Sequence, residues 1–124
     1  MTALADLIQR SWPLFREAAL QGRTLSYSEL AGRVGPPLSR RQVHRQLLIP
    51  LSVMCRAAGL PQLPALVVRK DTGKPGLGYH GTKPHADPER GWADDLAACF
   101  AYPWPMRVDK RLLALAKSDT LTHK

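Results

Sequence analysis

With 124 residues the chain is long enough for one domain with its own core, and it needs neither disulfides nor a structural metal to fold. Its 44% hydrophobic and 23% charged content excludes wholesale disorder, and no apolar run approaches the roughly 18 residues of a membrane span, so a soluble cytoplasmic protein with no membrane partner is expected. A net charge of +8 points to an anionic partner, and the charge is unevenly spread: +5 over residues 23–56, +3 over 60–86, −3 over 87–95 and +3 over 107–124.

Residues 3–21 read as the N-terminal helix, with Leu4, Leu7, Ile8, Ser11, Phe15, Ala18 and Ala19 at helical spacing, Thr2 as N-cap and Gly22 as stop. Pro13 either kinks this helix or leaves Ser11 to cap a second piece. Ser26-Tyr27-Ser28-Glu29 fits a capping box, in which the Ser26 hydroxyl accepts from the Glu29 amide and the Glu29 carboxylate returns to the Ser26 amide. A short helix over 27–34 with Tyr27, Leu30, Ala31 and Val34 on one face follows, and Gly35-Pro36-Pro37 ends it. Ser39-Arg40-Arg41-Gln42 repeats the box and opens a second helix over 40–48, so the pair has a helix-turn-helix pattern.

In that second helix Val43 and Leu47 face inward with Leu48 at their flank, whereas Arg41, Gln42, Arg45 and Gln46 share the outer arc. Arginine and glutamine match base edges and phosphates together, so this arc is a candidate duplex-DNA surface; the alternative is a solvated charged face. His44 lies toward the core. Pro50 opens a further helix over 50–58 with Leu51, Met54, Cys55 and Ala58 inward and Gly59 as its cap. The β-branched run around Ala65-Leu66-Val67-Val68-Arg69 reads as a strand, and the Gly- and Lys-rich residues 70–79 read as the turn of a β-hairpin with a basic tip. Arg40, Arg69, Lys70 and Lys74 are expected on phosphates. The C-terminal helices are expected over 88–117, with Trp92, Leu96, Ala97, Cys99 and Phe100 in the first and Leu112, Leu113, Leu115 and Ala116 in the last.

The fold class expected is mainly α with a small β-hairpin: a winged helix-turn-helix and wing over 24–80, with extra N- and C-terminal helices, in a single domain. Several fragments carry a likeness. Thr24-Leu25-Ser26-Tyr27-Ser28-Glu29-Leu30-Ala31, Arg41-Gln42-Val43-His44-Arg45-Gln46-Leu47, and Leu66-Val67-Val68 followed by Gly76-Leu77-Gly78-Tyr79 resemble the C-terminal domain of alkylguanine-DNA alkyltransferases and alkyltransferase-like proteins. There a Thr-Tyr-Gly-x-(Leu/Ile)-Ala helix opens a DNA-binding winged helix, and a Pro-Cys-His-Arg motif before the valines carries the nucleophile. Here that place reads Pro64-Ala65-Leu66, without cysteine or histidine. The resemblance implies a winged-helix scaffold with a DNA-binding surface and no transferase activity, hence no catalytic residues.

Other motifs point elsewhere only weakly. Asp71-Thr72-Gly73 matches the aspartic-protease tripeptide, but Arg69 and Lys70 hold Asp71 ionised, which defeats a shared proton. The glycines of 73–78 lack the order of a phosphate-binding loop, and His80 and His85 have no Cys pair beside them, so neither metal nor cofactor is expected. Cys55 and Cys99 each sit alone in an apolar helical pattern and read as buried, reduced thiols. The leading expectation is a non-enzymatic DNA-binding regulator or DNA-processing accessory factor. A protein-binding module of immunity or adaptor type, using its basic face on an acidic partner, is the second, and a small basic ribonuclease the third.

Overall fold

The computed structural model describes residues 3–36, 38–75 and 88–122. Helix α1 (Ala3–Gln21) leads through strand β1 (Leu25–Ser26) into α2 (Tyr27–Val34). A π-helical turn (His44–Leu48) then runs directly into α3 (Ile49–Ala58), and a 3-10 turn (Leu63–Leu66) leads into β2 (Val67–Val68). Helices α4 (Pro88–Ala101) and α5 (Lys110–Thr122) complete the described chain. The described residues are mainly helical, with one small two-stranded sheet.

Helix α1 packs against α2, α4 and α5, which is why it buries Trp12 and Leu14 as well as the expected Leu7, Ile8, Ser11, Phe15, Ala18 and Ala19. Each large apolar side chain removed from water here contributes about 1.5–3 kcal/mol. Pro13 does not divide the helix. It lies on the exposed side with Gln9, so the carbonyl it leaves without an N–H donor is on the solvent side, and the buried Ser11 hydroxyl donates to the Ile8 carbonyl at 3.2 Å instead of capping a second piece. Gly22, at φ +67°, ends α1, with the Arg23 amide bonding back to the Ala18 carbonyl at 2.9 Å. Thr2, the expected N-cap, lies outside the described residues.

The sheet corrects the expected strand over 65–69. Pro64 suits the first turn of a 3-10 helix, and the Ala65 amide bonds to the Gln62 carbonyl at 3.0 Å, so the chain is still helical through Leu66. Of these residues only Val67 and Val68 are strand, and they pair parallel with β1, Leu25 opposite Val67 and Ser26 opposite Val68. Leu25, Val67 and Val68 are all buried, and a continuous apolar run covered on both faces suits parallel pairing. After β2 the chain makes a tight loop, closed by the Arg69 amide on the Lys74 carbonyl and the Gly73 amide on the Arg69 carbonyl, both at 2.8 Å. The end of the expected hairpin turn, residues 76–79, and whatever would pair with β2 beyond it fall outside the described residues.

The C-terminal segment locks onto α1 through aromatic residues. Trp104 stacks edge-on to Trp12 at 5.7 Å, the Trp12 indole donates to the Pro105 carbonyl at 3.0 Å, and Arg16 donates to the Trp104 carbonyl at 3.2 Å. Trp92 of α4 donates to the Ala65 carbonyl at 2.9 Å, and Arg111 at the start of α5 donates to the Ala58 carbonyl at the end of α3. In the core, Gln62 and Ser52 satisfy one another through two hydrogen bonds of 2.7 and 3.0 Å.

Candidate nucleic-acid interface

The α2 cap forms as expected on one side only. Ser26 Oγ accepts from the Glu29 amide at 3.0 Å, but the Glu29 carboxylate turns away from Ser26 and lies 3.7 Å from both Arg23 and Arg33. Glu17 faces the same two guanidiniums, at 3.2 and 3.8 Å. Arg23 and Arg33 are thus matched by two carboxylates, and this part of the +5 segment presents little net charge. At the other end of α2, Arg10 of α1 donates to the carbonyls of Val34 and Pro36 and is held by Asp6 at 3.1 Å. Gly35 crosses this point at φ +83°, where a Cβ would stand 3.3 Å from the Arg10 guanidinium. The turn into the next helix is therefore pinned from α1.

The second capping box is absent. The Gln42 amide bonds to the backbone carbonyl of Ser39 at 2.9 Å, residues 40–42 form a turn, and the helix begins at Val43, which has no side-chain cap. Nor do two separate helices follow. The Ile49 amide reaches back five residues to the His44 carbonyl, so a π turn joins 43–48 to α3 without a break. Pro50 explains this: it has no N–H for the Gln46 carbonyl and its ring would collide with that carbonyl in an α-helix, so the backbone widens by one residue. The buried positions follow the same spacing. Val43, Leu47, Leu51 and Cys55 recur every four residues and are 0–1% exposed. On the outside Arg41, Arg45, Ile49 and Val53 recur at the same interval, all exposed.

Arg40, Arg41, Gln42 and Arg45 are exposed, and the three arginines make no ion pair among the described residues. Gln46 is different. It is half-buried, and its Oε1 is enclosed without a hydrogen-bond partner, so it does not stand on the outer arc with the arginines. His44 is half-buried.

Arg69, Lys70 and Lys74 are exposed on the loop after β2. Arg69 grips the Asp71 carboxylate through two nitrogens at 2.9 and 3.2 Å, which holds the Asp71 carboxyl below its ordinary range and keeps it ionised. Because β2 pairs with β1, this loop lies beside the start of α2. Together Ser26, Tyr27, Ser28, Arg40, Arg69, Lys70 and Asp71 line a cleft of ≈ 270 Å³. Arg40 and the Arg69–Lys70 pair thus meet at one place, although 29 positions separate Arg40 from Arg69. Ser26, Tyr27, Ser28 and Asp71 are the lining residues that sequence reasoning missed, the first three read only as a helix start and Asp71 only as part of a turn.

Both thiols are free and buried. Burial pushes the Cys55 thiol up to about 12 and the Cys99 thiol higher still. The place where the family resemblance would put a nucleophile is Ala65, fully buried, with its carbonyl engaged by Trp92. His80 and His85 lie outside the described residues, and among those that are described no group of His, Cys, Asp or Glu has the arrangement of a metal site. Among the described residues no helix is long and apolar enough to cross a membrane. Set against protein-family models, curated proteins and solved structures, the chain matches none of them.

Proposed function

We propose that the chain is a non-enzymatic DNA-binding protein of winged-helix type, with Arg41, Gln42 and Arg45 toward the groove and Arg40, Arg69, Lys70 and Lys74 on phosphates. One observation carries this reading: Arg40, at the entry to the 43–58 helical run, borders the same cleft as Arg69 and Lys70 from the loop after β2. A turn and a loop that present cations side by side suit a phosphate backbone. The charge pairing elsewhere sharpens the contrast, because Arg23 and Arg33 are matched by Glu17 and Glu29 while Arg40, Arg41 and Arg45 are not matched among the described residues. The absence of any exposed or activated thiol in the described chain agrees with a binding role rather than alkyl transfer.

Fluorescence anisotropy with a labelled duplex over a salt series tests the reading. If Arg41 and Arg45 each neutralise a phosphate, Arg41→Ala plus Arg45→Ala flattens the slope of log affinity against log salt by about two units. Absence of affinity even near about 50 mM salt, or a double variant that binds as the wild type does, defeats it.

A second reading has its own observation. Ile49 and Val53, 40% and 55% exposed, continue the outer row begun by Arg41 and Arg45, and an apolar pair beside two arginines suits an acidic protein partner with an apolar anchor. Under this reading Ile49→Ser plus Val53→Ser abolishes capture of that partner and leaves duplex affinity unchanged.

A further inference from the structure

We infer that the cleft between α2 and the loop after β2 binds a terminal phosphate monoester, the 5′-phosphate of a nucleic-acid end. The inference rests on the DNA-binding reading and assigns a ligand to one part of its surface. Three cations and one carboxylate line the cleft: Arg40, Arg69, Lys70 and Asp71. Their formal charge is two positive. An internal phosphodiester brings a single negative charge, whereas a phosphate monoester carries about −1.5 to −2 near pH 7 and offers three acceptor oxygens. The cleft charge therefore matches the monoester better than the diester.

Geometry agrees with charge. The cleft, at ≈ 270 Å³, lies just below the range of about 300–1,000 Å³ of small-molecule sites, enough for a phosphate and its sugar but not for an extended ligand. A diester inside a duplex is held at the helix surface by the chain on both sides of it. An end has chain on one side only and can enter a recess.

The donors are arranged for the task. Asp71 fixes the Arg69 guanidinium through Nε and one terminal nitrogen, and the other terminal nitrogen is left for an oxyanion. Arg40 and Lys70 make no ion pair among the described residues, and the Ser28 hydroxyl adds a neutral donor at the rim. Arg40 is followed directly by Arg41 and Gln42, so a duplex whose end sits in the cleft extends along the surface already assigned to groove contacts.

The test compares one duplex in two forms, with 5′-phosphates and with 5′-hydroxyls, and adds a nucleoside 5′-monophosphate alone, to separate a DNA end from a free nucleotide. The wild type is expected to favour the phosphorylated duplex by about tenfold or more, as two or three charge-assisted hydrogen bonds require. Arg40→Ala and Lys70→Ala should each erase most of that preference, lowering affinity for the phosphorylated duplex far more than for the hydroxyl duplex. Both side chains are exposed, so the variants should fold, which far-ultraviolet circular dichroism checks. Arg41→Ala plus Arg45→Ala should weaken both duplexes alike and leave the preference in place.

Equal affinity of the wild type for the two duplexes, or a preference that survives both cleft substitutions, overturns the inference while leaving DNA binding intact. If the monophosphate raises the unfolding temperature of the wild type but not of Lys70→Ala, and neither duplex binds, the cleft assignment holds for a free nucleotide and the DNA reading falls. Binding of neither duplex nor monophosphate ends both.

Discussion

Cys55 and Cys99 lose more by ionising than any neighbour returns. A backbone amide of Leu63 favours the Cys55 thiolate, but loss of hydration outweighs it, and each thiol stays protonated far above its ordinary range. In the unfolded chain the same thiols ionise near pH 8.5, so there the folded form holds more protons than the unfolded form. Stability is therefore whole below about pH 8.5 and falls as pH rises from there toward about 12. Urea midpoints measured from pH 7 to 10 should show that decline, and iodoacetamide should leave the native mass unchanged while adding two groups after unfolding. Their apolar surroundings made these two residues legible in the sequence. Gln46 was not, for a geometric reason. At about 100° per residue it stands only about 60° from Val43, on the flank of the buried face, and grouping it with Arg41 and Arg45 followed its polarity rather than its angle.

The turn after α2 depends on Arg10, a residue with no sequence signal pointing to it. Its guanidinium holds the Val34 and Pro36 carbonyls, and Gly35 between them needs a positive φ. Arg10→Ala is expected to cost about 1–2 kcal/mol by stranding two carbonyls at a helix end. Gly35→Ala should cost about 1–2 kcal/mol through its backbone alone. Thermal unfolding of the two variants measures both, and destabilisation of neither would show the turn to be set locally. Helix α2 was legible to the residue because Ser26 and Gly35 bound it at either end. The next helix was not, since Ser39 offered the same box as Ser26 and the chain left it unused. The signal that does mark the π turn is the four-residue recurrence of Val43, Leu47, Leu51 and Cys55 together with Pro50, a spacing too long for a regular α-helix.

Across the molecule, α1 and the segment around Trp104 hold one another through an edge-on ring pair and two hydrogen bonds. Trp12→Ala removes the ring, the indole donor and the packing of a residue 2% exposed, and should cost about 3–5 kcal/mol in urea unfolding. A loss below about 1 kcal/mol would mean that the C-terminal helices contribute little to this core. The helical class of the chain was legible from periodicity, because long amphipathic segments repeat their signal. The parallel pairing of Leu25–Ser26 with Val67–Val68 was not, because two residues are too few to show alternation and pairing between distant segments leaves no local mark. The cleft stayed hidden for the same reason, since that pairing brings its two sides together.

A row with a four-residue step has one further effect. In plain α-helical winding such a row drifts by about 40° at each step and wraps around the rod, and the π turn cancels part of that drift. Arg45, Ile49 and Val53, with Arg41 in the turn ahead of them, are therefore rungs that wrap less than in plain α-helical winding throughout, two charged and two greasy. Deleting one residue between Leu47 and Pro50 would swing the charged rungs by about 100° relative to the greasy ones. Leu51, Met54 and Cys55 could keep their places in the core, but Val43 and Leu47 would swing with the arginines, so the direction in which the arginines point is tied to the packing beneath them.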